Sequence, residues 1–301
     1  MPLNTNVRIK WLVAGILFAA FWASAATATK IGLRVAQPLV IAEMRFGLAA
    51  LIMLIIAHVI KAHRLPAGKE WKQIAIYGLL NITIYLGCYV IAMKTLTAGI
   101  GSLAIATNPV FISFFSVILL RKRLTWAVIA ALIVCTAGVL TAAWPLFAGA
   151  EITTGGLLLL LFSMLCYSLG AIYFSSLKWN DLSLFTINGW QTFLGGLFLL
   201  PATLFYYEDS SNHFTSTFWW SVAWLAIPVS IIAVQLWLWL LQTNAVRAGL
   251  WLFLCPLFGY VFAAWWMNDE ISTYTITGVI LVIGGLLLSK LKTGKQEIVL
   301  E

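Results

Sequence analysis

The chain has 301 residues, 62% of them hydrophobic and 9% charged, with a mean hydropathy of +0.98. No water-soluble fold of this length buries that much apolar side chain, which excludes a soluble enzyme or binding module. The formal net charge of +8 is spread over short loops and not gathered on one face, so no nucleic-acid partner is expected.

Ten apolar segments follow one another, near 11–29, 38–60, 73–93, 98–120, 124–144, 154–177, 183–207, 218–242, 245–267 and 272–289. Each is about the length that crosses a bilayer core of about 30 Å as a helix. The alternating segments of about ten residues that build membrane β-barrels are absent. The expected fold is therefore all-α and integral to the membrane, with ten transmembrane helices. Arg8 and Lys10 ahead of Ala23-Ser24-Ala25 imitate a cleaved signal peptide, but the run is long and nine more follow, so it is expected to stay.

Along these segments, polar and aromatic residues recur at helical spacing. Segment one offers Trp22, Ser24 and Thr27. Segment two carries Glu43 and Arg45 near one end, close enough to neutralise one another through neighbours, and His58 near the other. Segment three has Asn81, Tyr85 and Tyr89, a stripe at i, i+4 and i+8. Segment four holds Asn108 and Pro109 at its middle. Segment six contributes Tyr167, segment eight Gln235, Trp239 and Gln242, and segment nine Trp251 and Pro256. A polar face on an apolar helix avoids lipid, so these side chains are expected to turn inward. They form a candidate substrate-binding set of Trp22, Asn81, Tyr85, Tyr89, Asn108, Tyr167, Gln235, Trp239 and Trp251. Interhelical hydrogen bonding or core packing is the plainer reading of each taken alone.

Pro109 and Pro256 lack an amide hydrogen and push away the carbonyl four residues earlier, those of Ile105 and Leu252. Interrupted helices at matching places point to a transporter's central site; packing kinks are the alternative. Trp71, Trp126, Trp179, Trp219, Trp220, Trp265 and Trp266 lie near segment ends, where aromatic belts sit, and are left out of the site. The four cysteines form no C-x-x-C pair and are expected to pack as small apolar residues.

Placing the N-terminus in the cytoplasm puts most cations on the cytoplasmic loops, among them Lys61, Arg64, Lys69, Lys72, Arg121, Lys122, Arg123 and Lys290, and leaves only Lys30, Arg34 and Lys94 outside. Both termini are then cytoplasmic. A shift of about 145 to 147 residues lays Trp22 on Tyr167, the run from Arg45 on that from Trp190, Pro109 on Pro256 and Gly138 on Gly285. Five segments per half means that residues 1–147 and 148–301 form two inverted five-helix repeats. Charge reverses with the inversion: Lys61 and Arg64 are answered by Glu208 and Asp209, and Arg121 to Arg123 by Asn268 to Glu270.

With Trp22-Ala23-Ser24, Arg45 in an R-F-x-L-A-A-L run, Asn108-Pro109-Val110, Cys255-Pro256-Leu257, Arg123-Leu124-Thr125 and Glu270-Ile271-Ser272 in this order, the chain resembles the drug/metabolite transporter superfamily and its ten-helix EamA-type members. Members often close segments four and nine with G-E-x-L-T; here Lys122 and Asp269 stand at the glutamate. The resemblance implies a multi-pass protein of the bacterial inner membrane that exports amino acids or related metabolites, with Arg45 a common feature of the family.

The function expected is a secondary transporter moving a small neutral or zwitterionic metabolite, with no cofactor and no metal, by alternating access through a central cavity. Glu43 and Arg45 are read as structural or as an outer gate. With no carboxylate at a segment's middle, a facilitative carrier or exchanger is favoured over a proton-coupled pump. His58, His63 and His213 are scattered, so no enzyme is expected. The rival reading is a lipid flippase or scramblase of the same fold. Ala137-Gly138 and Gly284-Gly285 serve either packing within the bundle or a homodimer seam.

Overall fold

The computed structural model describes residues 5–149, 153–267 and 273–289. The Asn268-Asp269-Glu270 run, residues 270–272 of the second motif, Lys290, Lys292, Lys295 and both termini lie outside the described residues. Among the described residues the chain is helical with no strands. The first five helices are α1 (Thr5–Gly32), α2 (Pro38–Leu54), α3 (Lys69–Gly78), α4 (Tyr85–Ala92) and α5 (Ala98–Ile105). Then come α6 (Asn108–Leu120), α7 (Trp126–Gly149), α8 (Thr154–Ser176), α9 (Leu184–Phe205), α10 (Ser216–Trp224) and α11 (Val234–Thr243). The chain closes with α12 (Ala245–Leu250), α13 (Leu254–Met267) and α14 (Thr273–Leu288). Among the described residues, seven helical stretches are long and apolar enough to cross a membrane, and two shorter apolar helices accompany them. Although α9 has 22 residues, it falls outside that set because its buried Asn188, Gln191 and Thr192 lower its hydropathy.

Local chemistry sets the helix ends. Pro38 opens α2 after an extended Gln37, where its missing amide hydrogen has no helical partner to lose. Thr97, Ser183 and Asn244 cap α5, α9 and α12 by accepting from the amides of Ile100, Thr186 and Arg247. Segments three and eight each contain a π-helical stretch, Leu79–Ile84 and Leu225–Ala233, the second around Pro228, whose absent donor such a wide turn accommodates.

Segments four and nine are interrupted near their prolines, as expected, each by a tight turn whose backbone stays right-handed helical. At Ala106-Thr107 the chain closes α5 with short-range bonds, Ala106 N–H to Leu103 O and Thr107 N–H to Ala104 O, and α6 then starts with Pro109 in its first turn. In segment nine a 3-10 turn, Trp251–Phe253, separates α12 from α13, and Pro256 again falls in the first turn of the second piece. Proline is tolerated there because first-turn amides have no partner within the helix.

Without a hydrophobic force between helices in lipid, close approach relies on small residues. The α7–α14 seam shows this. A Cβ on Gly138 would lie 2.8 Å from Leu281 Cβ and 2.9 Å from Gly278 O, and one on Gly285 would lie 2.5 Å from Cys135 Sγ and 3.2 Å from Ala131 O. The pairs 131/278, 135/282 and 138/285 share one separation of 147 residues, so each helix offers its partner the same surface. These small residues pack within the bundle; Gly284 has open space beside it. All four cysteines are free thiols, three of them buried.

Candidate functional site

Near the middle of the bundle, aromatic rings from four segments converge. Trp22 of α1 lies 5.7 Å from Tyr167 of α8 and 6.5 Å from Tyr85 of α4, and Tyr85 lies 4.7 Å from Tyr167. Tyr89 extends the row along α4, 6.1 Å from Tyr85. Phe18 and Trp237 complete the cluster, stacked at 4.9 Å, with Trp237 also 5.7 Å from Tyr167. All six are buried. The hydroxyls of Tyr89 and Tyr167 and the indole nitrogen of Trp237 have no hydrogen-bond partner among the described residues.

Against this cluster lies a cavity of about 10 Å³ bordered by Trp22, Arg45, Tyr85, Tyr89, Ile105 and Val229, room for a single water molecule. Ile105 is the last residue of α5, so the break in segment four forms part of the wall. Arg45 is buried at 2% exposure, and its Nε–H donates to Ser230 Oγ at 2.7 Å. The same serine's carbonyl accepts from Asn188 Nδ2 at 3.0 Å.

Of the sequence-derived set, Trp22, Tyr85, Tyr89 and Tyr167 are brought together. Asn81 is not: its Nδ2 donates to Gln191 Oε1 at 3.4 Å in a network running through Asn188 and Thr192 of α9. The π turn ahead of Tyr85 winds fewer degrees per residue than an α turn, which takes Asn81 off the Tyr85–Tyr89 stripe. Asn108 is fully buried and tied to α8, accepting from Ser168 Oγ at 3.1 Å and donating to Met164 Sδ at 3.3 Å.

Segment eight presents the other face. Gln235 is half-buried with Nε2 on the Leu184 carbonyl, Trp239 is half-buried and Gln242 is exposed, whereas Trp237, two residues away and so on the opposite side of α11, faces the cluster. Trp251 packs on Trp11 at 5.1 Å, seated where a Cβ on Gly15 would intrude. Pro109 and Pro256 are buried at the two breaks.

Glu43 and Arg45 do not neutralise each other. Residues two apart on a helix do not face one another. Glu43 turns to a cleft of about 150 Å³ lined also by Phe46, Thr192, Phe193, Gly196 and Leu200, and accepts from Thr203 Oγ1 at 3.3 Å. His58, expected to reach for the interface, instead accepts from Trp190 Nε1 at 3.0 Å and meets the His63 carbonyl at 2.9 Å. Trp126 is 77% exposed as a belt residue should be, but Trp179 is buried at 7%, with its Nε1–H on the Phe174 carbonyl. The side chains of Trp265 and Trp266 lie outside the described residues.

Two polar clusters close the ends of the bundle. At one, Gln37 binds the 206–212 loop, donating to Asn212 Oδ1 and Tyr206 O and accepting from Glu208 N–H and Asn212 Nδ2. At the other, Arg64 pairs with Glu70 at 2.7 Å and donates to the Asn180 carbonyl. Phe18, Trp237 and Ser230 are the members that sequence reasoning missed; the Trp237 face of α11, rich in Val, Leu and Trp, carries no polar stripe to mark it.

Residues 9–144 and 154–291 each match the model of the EamA-like transporter family. The chain is 26% identical over 275 residues to the uncharacterized transporter YvbV of Bacillus subtilis, covering 89% of this chain and 88% of that one. It is 27% identical over 236 residues to the uncharacterized inner membrane transporter YedA of Escherichia coli, covering 76% and 74%. A similar match, 26% over 228 residues and 74% of each chain, is to protein PecM of Dickeya dadantii. A solved crystal structure superposes with a TM-score of 0.77 over 93% of this chain and 96% of its own, at 16% identity, a likeness of fold.

Proposed function

Because the chain belongs to the EamA-like transporter family, we propose that it is a secondary transporter of the bacterial inner membrane that exports a small neutral or zwitterionic metabolite, an amino acid or a related compound. Residues 1–147 and 148–301 act as inverted five-helix repeats, giving ten crossings with both termini in the cytoplasm. The observation that carries this reading is the meeting of the segment-four break with the aromatic cavity, since Ile105, Trp22, Tyr85 and Arg45 all border it.

A break between two short helices is a natural hinge, because few backbone bonds are lost when the pieces rotate. Rotation of α5 and α6, and of α12 and α13, opens the cavity to one side at a time. The Gln37–Asn212 and Arg64–Glu70 clusters serve as the outer and inner gates. Glu43, near one end of segment two, faces the side cleft and does not border the cavity; this supports a facilitative carrier or exchanger over a proton-coupled pump. The protein is taken to act without catalysis.

Counterflow of radiolabelled amino acids in proteoliposomes, run beside a fluorescent-lipid assay in the same vesicles, tests the reading. Solute exchange without lipid movement is expected. Lipid movement without solute exchange would assign the fold to a flippase instead.

A further inference from the structure

Two charged side chains are buried among the described residues, Glu70 and Arg45. Glu70 has its counter-charge in Arg64, which grips it with both terminal nitrogens. Arg45 has none. Glu43 faces the side cleft, and the remaining described carboxylates, Asp181, Glu208 and Asp209, lie between the spans. Of the guanidinium's donors, only Nε is bonded, to Ser230; the two terminal amino groups have no hydrogen-bond partner among the described residues.

A guanidinium held in the low-dielectric interior of a membrane protein is costly unless an anion compensates it. This one sits on the cavity wall with Tyr89, whose buried hydroxyl is also unpartnered. The rings of Trp22 and Tyr85 border the same cavity. The cavity lining therefore combines a cationic, donor-rich group with apolar aromatic rings.

We infer that the counter-charge of Arg45 is supplied by the ligand: a carboxylate on a small molecule whose apolar body lies against Trp22, Tyr85 and Tyr167. The two free amino groups of the guanidinium form a fork that matches the two oxygens of a carboxylate, and the Tyr89 hydroxyl supplies a third donor. One arginine and one neutral hydroxyl suit a monoanion better than a doubly charged phosphate. At about 10 Å³ the cavity is closed, so binding displaces the α5 wall at Ile105. The inference rests on the transport reading only in taking this ligand to be the cargo. It narrows the cargo to molecules bearing a carboxylate, either a free acid or an amino acid.

The test is binding to the purified full-length protein by isothermal titration with phenylpropionate, phenylalanine and phenylethylamine, which share a ring and differ in carrying the acid, both groups or the amine. Either carboxylate binding, with phenylethylamine at least about tenfold weaker, is expected. Arg45→Gln should weaken the carboxylate by about tenfold or more, Arg45→Lys should restore part of the loss, and Glu43→Gln should leave it unchanged. The wild-type ligand series decides even if Arg45→Gln does not fold. Equal binding of the amine, no binding of either acid, or undiminished binding by a folded Arg45→Gln overturns the inference. Arginine-dependent binding without counterflow would leave this site standing and remove the transport reading; counterflow undiminished in Arg45→Gln would do the reverse.

Discussion

Trp22 of α1 and Tyr167 of α8 meet with ring centroids 5.7 Å apart at an angle of 39°, and they occupy corresponding places in the two halves of the sequence. The centre of the site is thus built from one position used twice, with Tyr85 closing against both.

The first prediction concerns the two faces of α11. Trp237→Ala removes a ring stacked on Phe18 and Tyr167; it should lower stability by about 3 kcal/mol and, by opening the cluster, lower counterflow flux. Trp239→Ala, on the other side, should keep flux within about threefold. Initial rates in proteoliposomes at matched protein content check both.

Gly278 packs so closely that an added Cβ would lie 2.4 Å from the Gly138 carbonyl and 2.5 Å from Ala142 Cβ. Neither contact is the free end of a flexible side chain. Gly278→Ala should therefore destabilise the α7–α14 seam by about 1–3 kcal/mol, whereas Gly284→Ala, with open space around it, should be near neutral. Thermal unfolding of the two purified variants in one detergent reads the difference.

Arg121 ends α6 in the left-handed conformation, φ 51°, which favours glycine over any residue with a Cβ. Arg121→Gly should stabilise the protein by about 0.5–1 kcal/mol. An unfolding midpoint equal to or below that of the wild type would count against this account of the helix end.

Asn188 joins Gln191, Thr192 and the Ser230 carbonyl in one buried network. Asn188→Leu should cost about 1–3 kcal/mol by leaving those groups unpaired and should also lower ligand affinity, since Ser230 holds Arg45. Thermal unfolding and titration on the same preparation separate the two effects.

The helical membrane fold and the breaks near Pro109 and Pro256 were legible because apolar length and proline chemistry act locally. Trp22, Tyr85, Tyr89 and Tyr167 were legible because aromatic residues at helical spacing stood out. Asn81 lies within the π stretch, where the i, i+4 rule does not hold, and so leaves the Tyr85–Tyr89 stripe; Gln235 and Trp239 do share a face of α11, but helical spacing alone does not say which face meets the cluster. Arg45 was read through its neighbour in sequence, Glu43, although helical geometry sends the two side chains apart. The buried place of Trp179 depends on its contact with Phe174, which segment-end position does not reveal.

Counterflow of a labelled amino acid in wild-type and Tyr85→Ala proteoliposomes tests the central claim, passage through the cavity at the segment-four break, most directly. Transient accumulation of label by the wild type, and its loss in a Tyr85→Ala protein that inserts and purifies normally, is the predicted result. Wild-type accumulation by Tyr85→Ala would contradict it.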